Sequence, residues 1–383
     1  MDLREFIDLL SKEGHLRRVD REVDWRFELG EIARNNQIPL LFERIKDYPG
    51  QRIFTNGMSS ISSMALALGL GPGKRWRAFI TEARRKAATP IRPLVVDKGP
   101  VLENVVRAPE INFLDFPIPQ WSNHDGGRYI GTWHINVSRD LETGSRNLGV
   151  YRMEVLGPNQ ATVSTSPNSH LARHVAKAEK AGRPLEMAVA IGTSEAVVMA
   201  ASAGCPYGMD EYELAGGLQG EGIRLVRGGT VNLEVPADSE IVIEGLIKPG
   251  VRVQDGPYFD YVGTANTSFN AFLFEATRLM FRSSPIFRGT AVGRPGAEDQ
   301  QVFSVLSELG LFDFHGSRPK HLIQAQLIKR RFFRAFQLVG RIGWKGLVSR
   351  KKSFPPRVRS QAQLPTMERE TTPDPRHTRV ERK

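Results

Sequence analysis

Several polar side chains in the middle of this 383-residue sequence are of the types that hold metal ions and move protons. An amide oxygen, an imidazole and a carboxylate together suit a hard divalent cation such as Mn²⁺ or Mg²⁺ better than a soft metal. An arginine binds a carboxylate through two parallel hydrogen bonds, and an acid whose pKa is raised by burial is a suitable proton donor. The residues that could form such a site are Asn147, Arg152, His170, Glu211, Asp255 and Asp260.

Each of these residues also has a purely structural interpretation. Asn147 could be a turn residue, His170 a polar group at the start of a helix, and Glu211 a solvated acid in a loop. The two aspartates could form turns around the Gly-Pro pair that they flank. His170 and His174 are one helical turn apart, but no carboxylate lies between them as in an H-E-x-x-H zinc site. The sequence also lacks a G-x-G-x-x-G loop, a P-loop and a G-x-S-x-G elbow, which argues against nucleotide hydrolysis and serine-hydrolase chemistry.

The elements that position these residues are predicted to be mostly strands. Residues 129–138 alternate in period two, DLETGSRN reads as a turn, and NLGVYRMEVLG and ATVSTS predict two more antiparallel strands. The stretches AVVMAA, IRLV, TVNLEV, EIVIEG and NAFLFEATRLMF extend this predicted β region. We therefore expect a barrel or sandwich from residue 109 to about residue 287. Residues five apart in a strand face opposite sides, so Asn147 and Arg152 can share a site only through a strand bulge, expected at Gly149, or a ligand that wraps the strand edge.

One helix is predicted inside the β region. Ser169 and its neighbours offer N-capping side chains, Leu171 and Val175 follow one face, and Gly182 ends the segment. Its N-terminus would present free N–H groups and the positive end of the helix dipole to a phosphate. The same helix could equally be one that only packs.

The two ends of the chain differ from this middle. Two amphipathic helices, near residues 3–14 and 26–34, and short apolar stretches predict a small N-terminal α/β unit. Residues 301–314 predict a helix, residues 321–348 a strongly basic helix, and residues 353–383 a disordered tail. The net charge of +11 is concentrated near the C-terminus. Nucleic acid or membrane is therefore not expected as a partner, although that basic helix is where either could bind.

The location of the protein follows from what the sequence lacks. No apolar run has the length of a membrane span, and the charged N-terminus does not resemble a signal peptide. The single cysteine, Cys205, cannot form an intrachain disulfide and is interpreted as a small buried apolar residue. We expect a cytoplasmic protein.

Five blocks of the sequence resemble those of a known enzyme family. NLGVYRMEV, PNSH, DEYELAGGLQGEGIRLV, VPADSEIVIEG and DGPYFDYVG follow one another in the order and at the intervals of the UbiD family. That family decarboxylates, and sometimes carboxylates, aromatic and α,β-unsaturated acids with prenylated FMN. With the element pattern, the resemblance predicts an α+β fold: an N-terminal α/β domain (1–108), a central split β-barrel (109–293), a basic helical remnant (294–352) and a disordered tail (353–383).

The resemblance also implies which residues bind the cofactors. Asn147, His170 and Glu211 would hold Mn²⁺ or Mg²⁺ at the phosphate of prenylated FMN, and a potassium ion is a further candidate. The residues that would line the cofactor site are Asn147, Val150, Tyr151, Arg152, Ser169, His170 and Glu211.

Three residues would carry the reaction by the same resemblance. Arg152 would orient the substrate carboxylate, Asp255 would pair with Arg152, and Asp260 would donate the proton. Since Asp255 is one methylene shorter than the glutamate that the family usually has, we expect its contact with Arg152 to be lost or bridged by water.

The C-terminal part departs from the family. Members usually continue with an α/β segment and a helix that supply a lysine to the cofactor phosphate and help the protein to oligomerise, and nothing after Gly293 matches them. Lys320, Lys329 or Arg330 could replace that lysine or form a solvated face. Two functions are therefore weighed. One is a homo-oligomeric decarboxylase supplied by a flavin prenyltransferase, and the other is a non-catalytic cofactor-binding or assembly subunit.

Overall fold

In the computed structural model, which describes residues 1–261, 263–293 and 296–311, helices are interspersed among runs of consecutive strands. The helices are α1 (Leu3–Lys12), α2 (Glu28–Arg34), α3 (Ile61–Ala67), α4 (Trp76–Ala87), α5 (His170–Lys180), α6 (Glu195–Ala201), α7 (Glu211–Gln219) and α8 (Glu298–Leu309). The strands are β1 (Arg17–Val19), β2 (Leu40–Phe42), β3 (Arg52–Thr55), β4 (Leu94–Val95), β5 (Asn104–Arg107), β6 (Tyr129–Gly131), β7 (His134–Arg139), β8 (Arg146–Gly149), β9 (Met153–Gly157), β10 (Gln160–Val163), β11 (Leu185–Ile191), β12 (Arg224–Arg227), β13 (Glu234–Pro236), β14 (Ile241–Phe259), β15 (Ala265–Phe281) and β16 (Ile286–Arg288).

A nine-stranded sheet dominates the described part of the chain. Its order is β6-β9-β10-β15-β14-β11-β7-β8, with β5 paired to β15, and it curls into a half-barrel. β1, β2, β3 and β16 form a second sheet, and β13, β12 and β4 a third. The fold is therefore of the predicted α+β class.

Period-two alternation explains how the large sheet is buried on both faces. Along β11, Ala188 and Ala190 belong to one hydrophobic cluster, whereas Met187, Val189 and Ile191 belong to another. Successive side chains of a strand point to opposite faces, so a strand that is apolar throughout can separate two cores. The candidate site is built on this doubly covered sheet.

The predicted helix after Ser169 is confirmed. The hydroxyl of Ser169 accepts a hydrogen bond from the backbone N–H of Ala172 at 3.1 Å, which caps α5. Leu171 and Val175 are buried on its inner face, and Gly182 follows its end in the left-handed conformation at φ 63°.

Several predicted elements were wrong. AVVMAA lies in α6 and is not a strand, and α3, α4 and α7 were not predicted at all. The single strand predicted over residues 129–138 is two strands, β6 and β7, and NLGVYRMEVLG is divided between β8 and β9. Helices thus cover more of the central region than its local pattern indicates.

The C-terminal predictions can be followed only in part. The helix expected over residues 301–314 corresponds to α8, which begins at Glu298 and ends at Leu309. The basic helix at 321–348 and the tail at 353–383 lie outside the described residues. The domain boundaries after residues 108 and 293 stay predictions. No helix in the described ranges is long and apolar enough to span a bilayer.

Candidate active site

A break between two strands divides the candidate site into two groups of residues. The first group is Asn147, His170 and Glu211, and the second group is Arg152, Asp255 and Asp260. β8 ends at Gly149, and a three-residue turn leads to β9. The backbone N–H of Tyr151 donates to the side-chain oxygen of Asn136 at 3.1 Å, which ties this turn to β7. The predicted bulge at Gly149 was therefore wrong, because the strand stops there. Asn147 before the turn and Arg152 at its end are not bound by the alternation of one strand.

Glycine is required where the turn begins. A Cβ atom on Gly149 would lie 2.4 Å from the ring of Tyr151, so a larger residue would displace that ring. The side chains of the turn then separate: Val150 packs against one hydrophobic cluster and Tyr151 against the other. The turn is thereby held from both faces of the sheet.

Glu211 lies close to Asn147 in the first group. It opens α7, whose N-cap Asp210 accepts a hydrogen bond from the backbone N–H of Tyr212 at 3.0 Å. The Glu211 carboxylate accepts a hydrogen bond from the backbone N–H of Leu148, the neighbour of Asn147, at 3.0 Å. Glu211 is only 2% exposed, and burial raises its pKa to about 7. A bound cation would offset the unfavourable burial of this charge.

His170 reaches the same region as the first residue of α5. Its ring packs edge-on against the ring of Tyr207, with 5.0 Å between the ring centres. Burial raises the pKa of the Tyr151 hydroxyl, and hydrogen bonding to Asn147 and Ser169 opposes this rise. Tyr151 therefore links β8 to the start of α5, next to His170.

His174 shares the ring of Tyr207 with His170, at 5.8 Å between the ring centres, and also contacts a hydroxyl group. Its Nδ1 atom lies 2.9 Å from the hydroxyl of Ser138, and its side chain is buried. Burial lowers the pKa of His174 to about 4. The two histidines, which are one helical turn apart, thus both pack against Tyr207, and His174 is held in addition by Ser138.

The donor chemistry of the first group fits a divalent cation. Among the residues that the structure describes, no three His, Cys, Asp or Glu side chains gather into a metal cluster. A cation here would need the amide oxygen of Asn147 as well as His170 and Glu211, an oxygen-rich set that suits Mn²⁺ or Mg²⁺. The capped N-terminus of α5 lies beside these donors and is suited to a phosphate.

Arg152 and Asp255 form the centre of the second group. The Nε atom of Arg152 donates to Oδ1 of Asp255 at 2.6 Å, and the hydroxyl of Thr162 donates to Oδ2 at 2.5 Å. Asp255 is fully buried, and burial raises its pKa while Arg152 and Thr162 oppose the rise. The expected loss or water bridging of the Arg152–Asp255 contact was therefore wrong: the contact is direct.

Asp260 joins this group through Asn266. Arg152 donates from Nη2 to the backbone oxygen of Asn266 at 3.3 Å, and the amide of Asn266 donates to the carboxylate of Asp260. The guanidinium of Arg152 also lies over the ring of Tyr258, 5.1 Å from its centre. The structure thus brings Arg152, Asp255 and Asp260 together.

Sequence reasoning missed four polar residues around this group: Asp125, Glu154, Thr162 and Asn266. Only Glu154 had a local signal, since it stands two residues after Arg152 and so on the same side of an extended chain. The others gave no such signal: Thr162 lies on the next strand, β10, Asn266 lies at the start of β15, and Asp125 comes from a distant segment.

Comparison with protein families gives two matches along the chain. Residues 94–295 match the UbiD model, described as the 3-octaprenyl-4-hydroxybenzoate carboxy-lyase Rift-related domain, and residues 7–82 match the N-terminal domain of the same carboxy-lyase. The phenolic acid decarboxylase of Bacillus subtilis is 32% identical over 316 residues, which cover 79% of this chain and 66% of that protein. The pyrrole-2-carboxylic acid decarboxylase of Pseudomonas aeruginosa is 31% identical over 327 residues, covering 82% and 66%.

Solved structures show the same likeness. An evolved dimeric form of the UbiD-class enzyme HmfF from Pelotomaculum thermopropionicum, in complex with prFMN, is 33% identical with a TM-score of 0.73, covering 80% of this chain and 70% of that one. The closed form of Sedimentibacter hydroxybenzoicus vanillic acid decarboxylase is 31% identical with a TM-score of 0.76, covering 80% and 67%. This chain spans slightly less than two thirds of the length of the Bacillus subtilis and Pseudomonas aeruginosa relatives.

Proposed function

Because the chain belongs to the UbiD family, we propose that it catalyses the reversible, non-oxidative decarboxylation of an aromatic or α,β-unsaturated acid with prenylated FMN and a divalent metal. The observation that carries this proposal is the pair formed by the partly buried Arg152 and the fully buried Asp255, which stands one short turn away from the metal-type donors. A partly exposed arginine in that position offers a planar fork to a carboxylate substrate.

The proposed roles follow from the contacts of each residue. Arg152 would hold the substrate carboxylate, and Asp255 would keep the guanidinium in place through the 2.6 Å hydrogen bond. Asp260 would deliver a proton to the carbon that loses carbon dioxide. Prenylated FMN, when bound, supplies the reactive ring system that activates the substrate double bond.

The same proposal assigns the cofactor site. Asn147, His170 and Glu211 would hold Mn²⁺ or Mg²⁺ at the cofactor phosphate, near the N-terminus of α5. The turn that contains Val150 and Tyr151 would line the flavin, together with Arg152, Ser169 and His170. A flavin prenyltransferase would supply the cofactor, and the protein would act as a homo-oligomer in the cytoplasm.

A second function, that of a non-catalytic cofactor-binding or assembly subunit, is favoured by one observation. The chain spans only 66% of the length of its Bacillus subtilis relative, so a region present in that decarboxylase has no counterpart in the matched part of this chain. In this case the metal and cofactor would bind without turnover.

The first test is the absorption spectrum and metal content of protein co-expressed with a flavin prenyltransferase. We expect a flavin chromophore and one Mn²⁺ per chain, both lost in Glu211→Ala because a buried ligand is removed. Glu213→Ala is the matched control, since Glu213 lies on the same helix with its side chain 39% exposed. A colourless, metal-free but folded wild type would contradict both functions.

Turnover separates the two functions. The loaded protein should release carbon dioxide from phenolic, dihydroxybenzoic or pyrrole-2-carboxylic acids, the kinds of acid named for its relatives. Arg152→Ala should abolish this release, because the substrate carboxylate loses its partner. Full loading without turnover of any of these acids would favour the subunit.

A further inference from the structure

The segment from Asp255 to Asp260 carries both proposed acids and is held by two buried carboxylates that the mechanism does not use. The Glu154 carboxylate accepts a hydrogen bond from the backbone N–H of Gly256 at 2.7 Å. The Asp125 carboxylate accepts one from the backbone N–H of Phe259 at 2.9 Å. The segment is thus held near both ends from outside its own strand.

Glu154 is connected to Asp255 by a second route. Its backbone N–H donates to the hydroxyl of Thr162 at 2.8 Å, and that hydroxyl donates to Asp255. The oxygen that accepts from Gly256 also accepts from the hydroxyl of Tyr129 at 3.3 Å. A shift of Glu154 would therefore move both the backbone and the side-chain support of Asp255.

Asp125 belongs to a loop that is seated on the segment. Its second carboxylate oxygen accepts from the backbone N–H of Ser122 at 2.8 Å, and the N–H of Gly126 donates to the backbone oxygen of Pro257 at 2.7 Å. A Cβ atom on Gly127 would lie 2.5 Å from Oε1 of Glu154. The loop therefore lies close to the Glu154 carboxylate, with no room for a side chain between them.

We propose that Glu154 and Asp125 are positioning residues. They hold Asp255 in contact with Arg152, and they hold Asp260 beside the substrate. The inference rests on the proposed decarboxylase function. Catalytic groups must be held to within about half an ångström, and misplacement by about 1 Å lowers rates by about a hundredfold. Two backbone anchors on a segment of six residues provide such a constraint.

The burial of both anchors supports this role. Glu154 is 8% exposed and Asp125 is 4% exposed. Burial raises the pKa of Asp125 to about 6, against the effect of the Phe259 N–H, and it also raises the pKa of Glu154. The burial of a carboxylate is unfavourable unless hydrogen bonds stabilise it, so both side chains depend on their bonds to the segment.

The two anchors differ in the number of carboxylate oxygens that accept hydrogen bonds. Glu154 binds both of its donors through one oxygen, so Glu154→Gln keeps an acceptor for the N–H of Gly256. Asp125 uses both oxygens, so Asp125→Asn loses one of its two N–H partners. We expect Glu154→Gln to behave like wild type, and Glu154→Ala and Asp125→Asn to be impaired.

The experiment combines hydrogen–deuterium exchange with turnover. Exchange of peptides over residues 252–261 should be faster in Glu154→Ala and Asp125→Asn than in wild type, and kcat/KM should fall by about a hundredfold. Gly127→Ala should act in the same direction, because the added methyl group displaces the Glu154 carboxylate without removing it.

Glu244→Ala is the matched control for general destabilisation. Glu244 is also fully buried and accepts hydrogen bonds from the backbone N–H groups of Gly229 and Thr230, away from the segment. It should lower the melting temperature without faster exchange over residues 252–261. Unchanged exchange in Glu154→Ala, or a Glu154→Gln variant as impaired as Glu154→Ala, would overturn the proposal. Since exchange needs no cofactor, a wild type without turnover would count against the proposed function and not against the anchors.

Discussion

Asp255 has a shorter side chain than the glutamate expected at its position, yet it contacts Arg152 at the centre of the site. The pairing of β14 with β15 shifts register on both sides of Asp255. Irregularities of this kind can re-aim a side chain, and Asp255 reaches Arg152 directly. The sequence could not predict this, because the register of β14 depends on a partner strand.

Buried histidines should make the stability of the protein fall in mild acid. His134 is fully buried, and burial lowers its pKa to about 4. Its ordinary pKa is about 6.5, so between pH 6.5 and 4 the unfolded chain takes up a proton that the folded protein does not. The native state then loses on the order of 3 kcal/mol across this window. Urea denaturation at several pH values measures the loss.

His134→Gln removes one of the groups responsible. The fall in unfolding free energy between pH 6.5 and pH 4 should become shallower in this variant. His174, whose pKa burial also lowers to about 4, should account for a further part, so the double variant with His174→Gln should be flatter still. An unaltered slope in both variants would show that other groups control the acid response.

At the scale of helices and strands, two of the helices that escaped prediction, α6 and α7, lack an amphipathic pattern. All seven residues of α6 are buried, so no polar face marks it as a helix. In α7, Gly216 and Gly217 approach the backbone oxygens of Ile91 and Thr89 so closely that a Cβ atom would clash. Two glycines argue against a helix locally, and only packing explains them.

The family resemblance predicted that Arg152, Asp255 and Asp260 belong together, but it did not predict the direct contact of Arg152 with Asp255. The link of Arg152 to Asp260 through Asn266 agrees with that grouping. Glu154 stands near Arg152 in the sequence, but the hydrogen bonds that Glu154 and Asp125 accept were not predictable, because their donors are backbone N–H groups of a segment far away in sequence. Long-range pairing to the backbone leaves no trace in residue spacing.

A buried ion cluster joins β16, α6 and α8. Arg288 of β16 donates to Glu195 of α6 at 2.8 Å and contacts Glu298 of α8, and all three side chains are at most 2% exposed. Arg288→Met should destabilise the protein by about 3–5 kcal/mol, because two carboxylates would remain buried without their cation. Chemical denaturation measures this change.

An exposed ion pair provides the comparison. Arg224 pairs with Asp238 at 2.8 Å with its side chain 48% exposed, so Arg224→Met should cost less than about 1 kcal/mol. Adding Glu195→Gln and Glu298→Gln to Arg288→Met should recover part of the stability. Equal effects of the buried and exposed arginine variants would mean that the cluster contributes no more than a surface pair.

For the molecule as a whole, the proposed metal site connects parts that are distant in sequence. The donors lie on β8, α5 and α7. A ligand that binds only the folded state at a hundredfold excess over its Kd stabilises it by about 2.7 kcal/mol. Mn²⁺ added with the cofactor should therefore raise the melting temperature by several degrees.

Calorimetry or differential scanning fluorimetry measures this shift. Glu211→Gln should abolish it, whereas Glu213→Gln on the same helix should retain it. A melting temperature that does not respond to Mn²⁺ in the wild type, with cofactor present, would place the metal elsewhere or exclude it.

The short turn after Gly149 has a consequence for how substrate preference can change. It is tied to β7 by the 3.1 Å hydrogen bond from Tyr151 to Asn136, and covalent geometry fixes its length. On the proposed assignment, this turn sets the distance between the residues at the cofactor phosphate and the residues at the reacting end of the cofactor. That interval is therefore constant. Variation in the surrounding loops can then select a different acid while the interval, and with it the seat of the cofactor, stays the same.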